Sequence, residues 1–122
     1  MQQQKTVLVV EDYVDARAVM KFVVSGYGYE VIEAKDGFEA VEKARAHRPD
    51  LILMDLAMPE MDGLTATNII SELDGLSNVP IIALTAFGNS YFHKALQAGC
   101  AEMVEKPLDY EKLEPLLKRY LA

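Results

Sequence analysis

The stretch "LILMDLAMPEMDG" at residues 51–63 runs four apolar residues, Leu51 to Met54, straight into a carboxylate, Asp55. A loop holding Pro59 and Gly63 follows. A continuous apolar run of this kind reads as a central parallel strand covered on both faces. An unpaired carboxylate at its end is costly, so Asp55 needs either a mouth open to water or a cation beside it.

Working outward, four more short runs appear: "TVLVV" (6–10) and "IIALT" (81–85), continuously apolar like this one, and "EVIEA" (30–34) and "EMVE" (102–105). Helical patterning fills the intervals over Val14–Ser25, Phe38–His47, Leu64–Leu73, Ser90–Ala98 and Tyr110–Leu121. Between 16 and 26 residues separate consecutive runs, enough for a crossover helix each time. Gly26 and Gly28 punctuate the end of the first helix, Pro49 follows the second, and Gly99 ends the fourth. Asp36 and Asp109 stand where N-caps of the second and fifth helices belong. Pro115 conflicts with a helix capped by Asp109, since it removes a hydrogen bond beyond the first turn. That conflict predicts a kink or a later helix start. The pattern is five βα units, a single α/β domain over residues 1–122.

Composition excludes several functions. The chain carries 12 Lys and Arg against 19 Asp and Glu, a net charge of −7, with no basic run. That opposes direct nucleic-acid binding, which requires a basic patch against phosphates. Apolar runs of four or five residues fall far short of the roughly 20 that cross a bilayer, and "MQQQK" has no signal-peptide core. The expectation is a cytoplasmic protein with no membrane contact. A lone Cys100 in "QAGCAE" reads as a small residue in a tight loop rather than a redox group.

The polar residues that end the runs carry the chemistry. Run one ends in Glu11 and Asp12, run three in Asp55, run four in Thr85, and run five in Lys106 before Pro107. In a parallel sheet these ends share one edge, where ligands bind at a topological switch point. If runs one and three are neighbours, three carboxylates converge and repel, so the site requires a divalent cation or a proton. Oxygen donors without paired histidines or a cysteine cluster suit Mg²⁺ rather than zinc, with Mn²⁺ as its substitute. Asp55 is then placed to attack phosphorus, Lys106 to neutralise a phosphoryl oxygen, and Thr85 to donate a hydroxyl hydrogen bond.

With those residues in place, the sequence resembles the receiver domain of two-component response regulators. The likeness runs from "VLVVEDYVDAR" through "PDLILMDLAMPEMDG" and "VPIIALTAFG" to "AGCAEMVEKP". It implies a flavodoxin-like (βα)5 fold with strand order 2-1-3-4-5. It also implies Mg²⁺-dependent phosphorylation of Asp55 by a histidine kinase or phosphotransfer protein. By position Asp12 matches a direct metal ligand, Glu11 a ligand through water, and the backbone carbonyl of Ala57 a further ligand. Thr85 and Lys106 match the switch threonine and phosphate-binding lysine. The output surface implied is the face of helix four, strand five and helix five, acting on a protein target.

Three departures stand out. The acidic pair is Glu-Asp, which changes reach but not charge. Ala57 and Phe87, two residues beyond Asp55 and Thr85, offer no group that activates water, which predicts slow self-dephosphorylation. Met103 stands where the family usually has an aromatic switch residue; its flexible side chain makes two discrete states less distinct. Tyr91, Phe92 and His93 form either a partner patch on helix four or part of the core, while His47 reads as a surface residue. The expected function is a stand-alone switch that catalyses only its own phosphoryl transfer and dephosphorylation. Alternatives are the same domain cut from a hybrid kinase or larger regulator, or a constitutive interaction module. A haloacid-dehalogenase-type phosphatase is disfavoured, because it needs a second aspartate where Ala57 stands.

Overall fold

The computed structural model describes residues 4–56, 62–85 and 92–122. Strands and helices alternate as β1 (Thr6–Val10), α1 (Val14–Gly26), β2 (Glu30–Ala34), α2 (Gly37–His47) and β3 (Leu51–Asp55). They continue as α3 (Gly63–Ser71), β4 (Ile81–Thr85), α4 (Phe92–Ala98), β5 (Glu102–Glu105) and α5 (Tyr110–Leu121). All strand pairs are parallel, in the order β2-β1-β3-β4-β5. The expected flavodoxin-like arrangement is therefore the observed one. Among the described residues no helix is long and apolar enough to cross a membrane.

Period-two alternation along the strands feeds two cores. Leu8, Val10, Ile52, Met54, Ile81 and Ala83 pack toward α2, α3 and α4. Those helices contribute Ala40, Ala44, Ala66, Ile70 and Ala95, mostly small side chains that fit a shallow layer. Val7, Val9, Leu51, Leu53, Ile82 and Leu84 point the other way, against Met20 and Val24 of α1 and four leucines of α5. Central β3 and β4 are buried at every position, which explains why their sequences are uninterrupted apolar runs.

The caps follow local chemistry. Asp36 accepts from the Glu39 N–H at 2.8 Å, and Glu39 reaches back to the Lys35 N–H at 3.1 Å. Asp109 accepts from the Glu111 N–H at 3.0 Å. Asp62, unremarked in the sequence, caps α3 through the Thr65 N–H at 2.8 Å. The helix of Pro115 starts at Tyr110 and not later, with the proline inside it. An interior proline costs about 3 kcal/mol. Burial of Leu113, Leu116, Leu117 and Leu121 outweighs this, at roughly 1.5 to 3 kcal/mol for each such side chain.

Cys100 is buried, its thiol 3.9 Å from the Thr67 hydroxyl, and burial pushes its pKa up. It lies in the loop after α4, as its flanks suggested, with its side chain in the core. His47 is exposed.

Candidate functional site

The C-terminal edge of the sheet gathers the polar strand ends. The registers set Val10 beside Met54, Asp55 beside Leu84 and Thr85 beside Glu105, so the chain leaves β1, β3, β4 and β5 at one level. Glu11, Asp12 and Asp55 place carboxylate oxygens within 4.8 Å of one another. Lys106 donates to Glu11 Oε1 and to Asp55 Oδ2, both at 3.1 Å. The lysine is set by the end of β5, where its N–H donates to the Thr85 carbonyl at 2.7 Å. Thr85 itself is fully buried.

The two strand-end acids are almost inaccessible, Glu11 at 4% and Asp55 at 1% exposure, while Asp12 stands in the open mouth. Glu11 also accepts from the Tyr13 N–H at 3.2 Å. Burial together with the neighbouring Glu11 carboxylate pushes the Asp12 pKa above its ordinary value. For Lys106 burial acts to lower the pKa, but the hydrogen bonds and charges of Asp55 and Glu11 prevail and hold it raised. Three carboxylates against one ammonium leave two negative charges. At these separations each like-charge pair repels by about 3 to 4 kcal/mol at an effective dielectric of about 20. A hard divalent cation fits this donor set: oxygen only, net charge of the opposite sign, and one acid accessible from solvent.

Loop geometry keeps Asp55 in place. Leu56 N–H donates to the Leu84 carbonyl at 3.0 Å, continuing the β3–β4 ladder past the acid. Gly63 then lies directly on this segment. A Cβ there would collide with the Asp55 carbonyl oxygen and come within 2.7 Å of the Leu56 Cα. Gly63 is thus a close-packing glycine, a role the sequence, which placed it only in the loop, did not disclose.

Sequence reasoning also overlooked the groups that hold the β1 loop. Arg17 of α1 donates from Nη1 to the Glu11 carbonyl at 2.9 Å and from Nε to Glu33 Oε1 at 3.4 Å. The other Glu33 oxygen meets Lys21 Nζ at 3.3 Å, and Lys43 donates to the Glu33 carbonyl at 3.1 Å. The available signal was Glu33 itself, an acid interrupting the apolar run of β2.

Of the residues named from sequence, the structure brings Glu11, Asp12, Asp55 and Lys106 into one cluster, with Thr85 at the adjoining strand end. Ala57, Phe87 and Tyr91 lie outside the described residues, as does the side chain of Phe92. His93 is exposed on α4. Met103 is half-buried and packs on the core beneath α3 and α4. A groove of about 670 Å³ runs between β5 and α5, bordered by Met103, Glu105, Leu108, Lys112, Pro115 and Arg119.

A profile described as "Response regulator receiver domain" matches residues 7–118. The polar-differentiation response regulator DivK of Brucella anthropi is 37% identical over 119 residues, covering 97% of each chain. The Brucella abortus DivK is 36% identical with the same coverage. Among solved structures, the Vibrio cholerae chemotaxis protein CheY4 superimposes with a TM-score of 0.92 at 30% identity, over 98% of this chain and all of that one. The receiver domain of a Pseudomonas aeruginosa sensor histidine kinase gives 0.89 at 35% identity, over 97% and 98%. That structure is described with a magnesium ion coordinated in its active-site cleft.

Proposed function

The chain belongs to the response regulator receiver domain family, and from that premise we propose that it is a phosphorylation-switched signalling protein with Asp55 as acceptor. The observation that carries this reading is the cluster itself: three carboxylates within 4.8 Å and one lysine bridging two of them, at the switch point of a parallel sheet. Glu11, Asp12 and Asp55 would hold Mg²⁺, with the Ala57 carbonyl as a further ligand. When bound, the ion supplies charge neutralisation for phosphoryl oxygens.

An Asp55 carboxylate oxygen attacks phosphorus in line with the leaving group of the phosphodonor. A new P–O bond forms to Asp55, and the bond to the donor breaks with its electron pair leaving on the donor. Lys106 exchanges one carboxylate contact for a phosphoryl oxygen, and the Thr85 hydroxyl donates to another. Positioning and charge do the work, with no acid–base group required at the acceptor. The protein acts only on its own carboxylate, and the signal passes by protein contact.

The donor on this reading is a histidine kinase or phosphotransfer protein. Tyr13 and Val14, at the start of α1 next to Asp12, are 62% and 60% exposed, which favours a protein donor that covers apolar surface. The groove between β5 and α5 is the surface we assign to the downstream target. Incubating wild type and Asp55→Asn with Mg²⁺ and a small acyl phosphate tests the acceptor by intact mass. Wild type should gain one acid-stable, base-labile phosphoryl group, and the variant none. Equal uptake by both, or none by wild type, overturns the assignment.

A further inference from the structure

We propose that Arg17 is a positioning residue for the acidic pair, fixing the peptide that joins Glu11 to Asp12 so that both carboxylates face Asp55. The inference rests on reading that cluster as a Mg²⁺ site.

The β1–β2 ladder explains why such a prop is required. Glu11 N–H donates to the Ala34 carbonyl at 3.1 Å, one rung beyond the end of β1. In a parallel ladder the next rung would bring the Asp36 N–H to the Glu11 carbonyl. The second strand ends at Ala34, however, and Asp36 is already the N-cap of α2. The Arg17 guanidinium donates to that carbonyl in place of a strand, at 2.9 Å. Its Nε is meanwhile anchored on Glu33 Oε1 at 3.4 Å, and Glu33 is braced by Lys21 at 3.3 Å. The side chains are largely covered, Arg17 at 18% and Glu33 at 34% exposure.

The Glu11 carbonyl belongs to the peptide plane that leads into Asp12, so fixing its direction fixes where the Asp12 side chain emerges. Glu11 has further restraints on its carboxylate from Lys106 and the Tyr13 N–H. Asp12, exposed, depends more on its backbone. A planar fork with several donors reaches two acceptors at once, whereas a lysine ammonium on a flexible stem does so poorly. Partners that orient metal ligands contribute about 10- to 100-fold in metal affinity.

The sign of the effect separates this role from simple charge. Removing a cation near three carboxylates should tighten divalent binding if Arg17 acts only through its charge. Positioning demands the opposite. Mg²⁺ titration by calorimetry should show Arg17→Ala and Arg17→Lys weakened by about tenfold. Glu33→Gln, which retains an acceptor for Nε, should stay near wild type. Amide hydrogen exchange at Asp12 and Tyr13 in metal-free protein should speed up in both arginine variants, a readout independent of metal and of phosphorylation. Unchanged or tighter Mg²⁺ binding in Arg17→Ala, or unchanged exchange in Arg17→Lys, overturns the proposal. Should Arg17→Ala fail to fold, Arg17→Lys decides by itself. Absence of Mg²⁺ binding to wild type would instead sink the metal-site reading, while the exchange measurement would still judge the prop.

Discussion

The site has two halves built on different principles. Asp55, Thr85 and Lys106 sit at the ends of β3, β4 and β5, and each inherits its position from a ladder bond that continues past the strand: Leu56 N–H to Leu84, and Lys106 N–H to Thr85. Glu11 still takes a rung past β1, its N–H donating to the Ala34 carbonyl, but Asp12 lies beyond it, where the neighbouring strand turns away and side chains take over from the sheet. The lesson is that a sheet orients its own terminal residues without further help, but one residue beyond the last rung needs a brace. Exposure singles out the residue past the last rung: Glu11 and Asp55 are both buried, and of the three acids only Asp12 stands open.

The comparison is most severely challenged by Gly63→Ala. If the strand half is rigid, the new methyl has nowhere to go against Asp55 and Leu56, and stability should fall by about 1 to 3 kcal/mol in urea titration. A neutral result would mean that the Asp55 segment yields easily. Lys106→Met comes next, since it leaves buried Glu11 and Asp55 to repel. Without Mg²⁺ the loss should be about 1 to 2 kcal/mol, discounted for the partial exposure of the lysine. With Mg²⁺ most of that loss should disappear, because the ion replaces the missing charge. Equal loss under both conditions would separate the lysine from the cation.

The smallest effect concerns the open half. Because the folded-state pKa of Asp12 is raised above its ordinary value of 3.8, the fold favours its protonated form. Its contribution is therefore most favourable below that value and is lost as pH rises through the raised one. At neutral pH the ionised group is a mild burden, so Asp12→Asn should raise the melting temperature of metal-free protein slightly. The gain should shrink on acidification toward 3.8, and the stabilisation of the fold by Mg²⁺ should be lost. A lower melting temperature at neutral pH would contradict the repulsion argument.

Much of this was legible in one dimension. The short runs located all five strands: β1, β3 and β4 by the few polar residues that burial on both faces admits, and the half-buried edge strands β2 and β5 by shorter apolar cores between glutamates. Asp36 and Asp109 revealed their helices, because capping acts across three residues. Pro115 misled in part: the local rule allowed a later helix start, whereas four buried leucines hold the helix from Tyr110 onward. Ala57 and Phe87 fall outside the described residues. Met103 is seen to pack on the α3–α4 side of the core, a contact that its sequence neighbours did not disclose.

The sequence by itself determined which residues end the strands and, through parallel order, that their ends meet on one edge. Hydrophobic period and strand-end chemistry are local properties, so they survive in a linear reading. Only the tertiary structure decided that Lys106 bridges Glu11 and Asp55, 95 residues from the first of them. The same holds for Gly63 resting on the Asp55 backbone and for Arg17 standing in for a missing rung. Those contacts depend on where separate segments stop relative to one another in space, a distance that residue type and spacing do not encode.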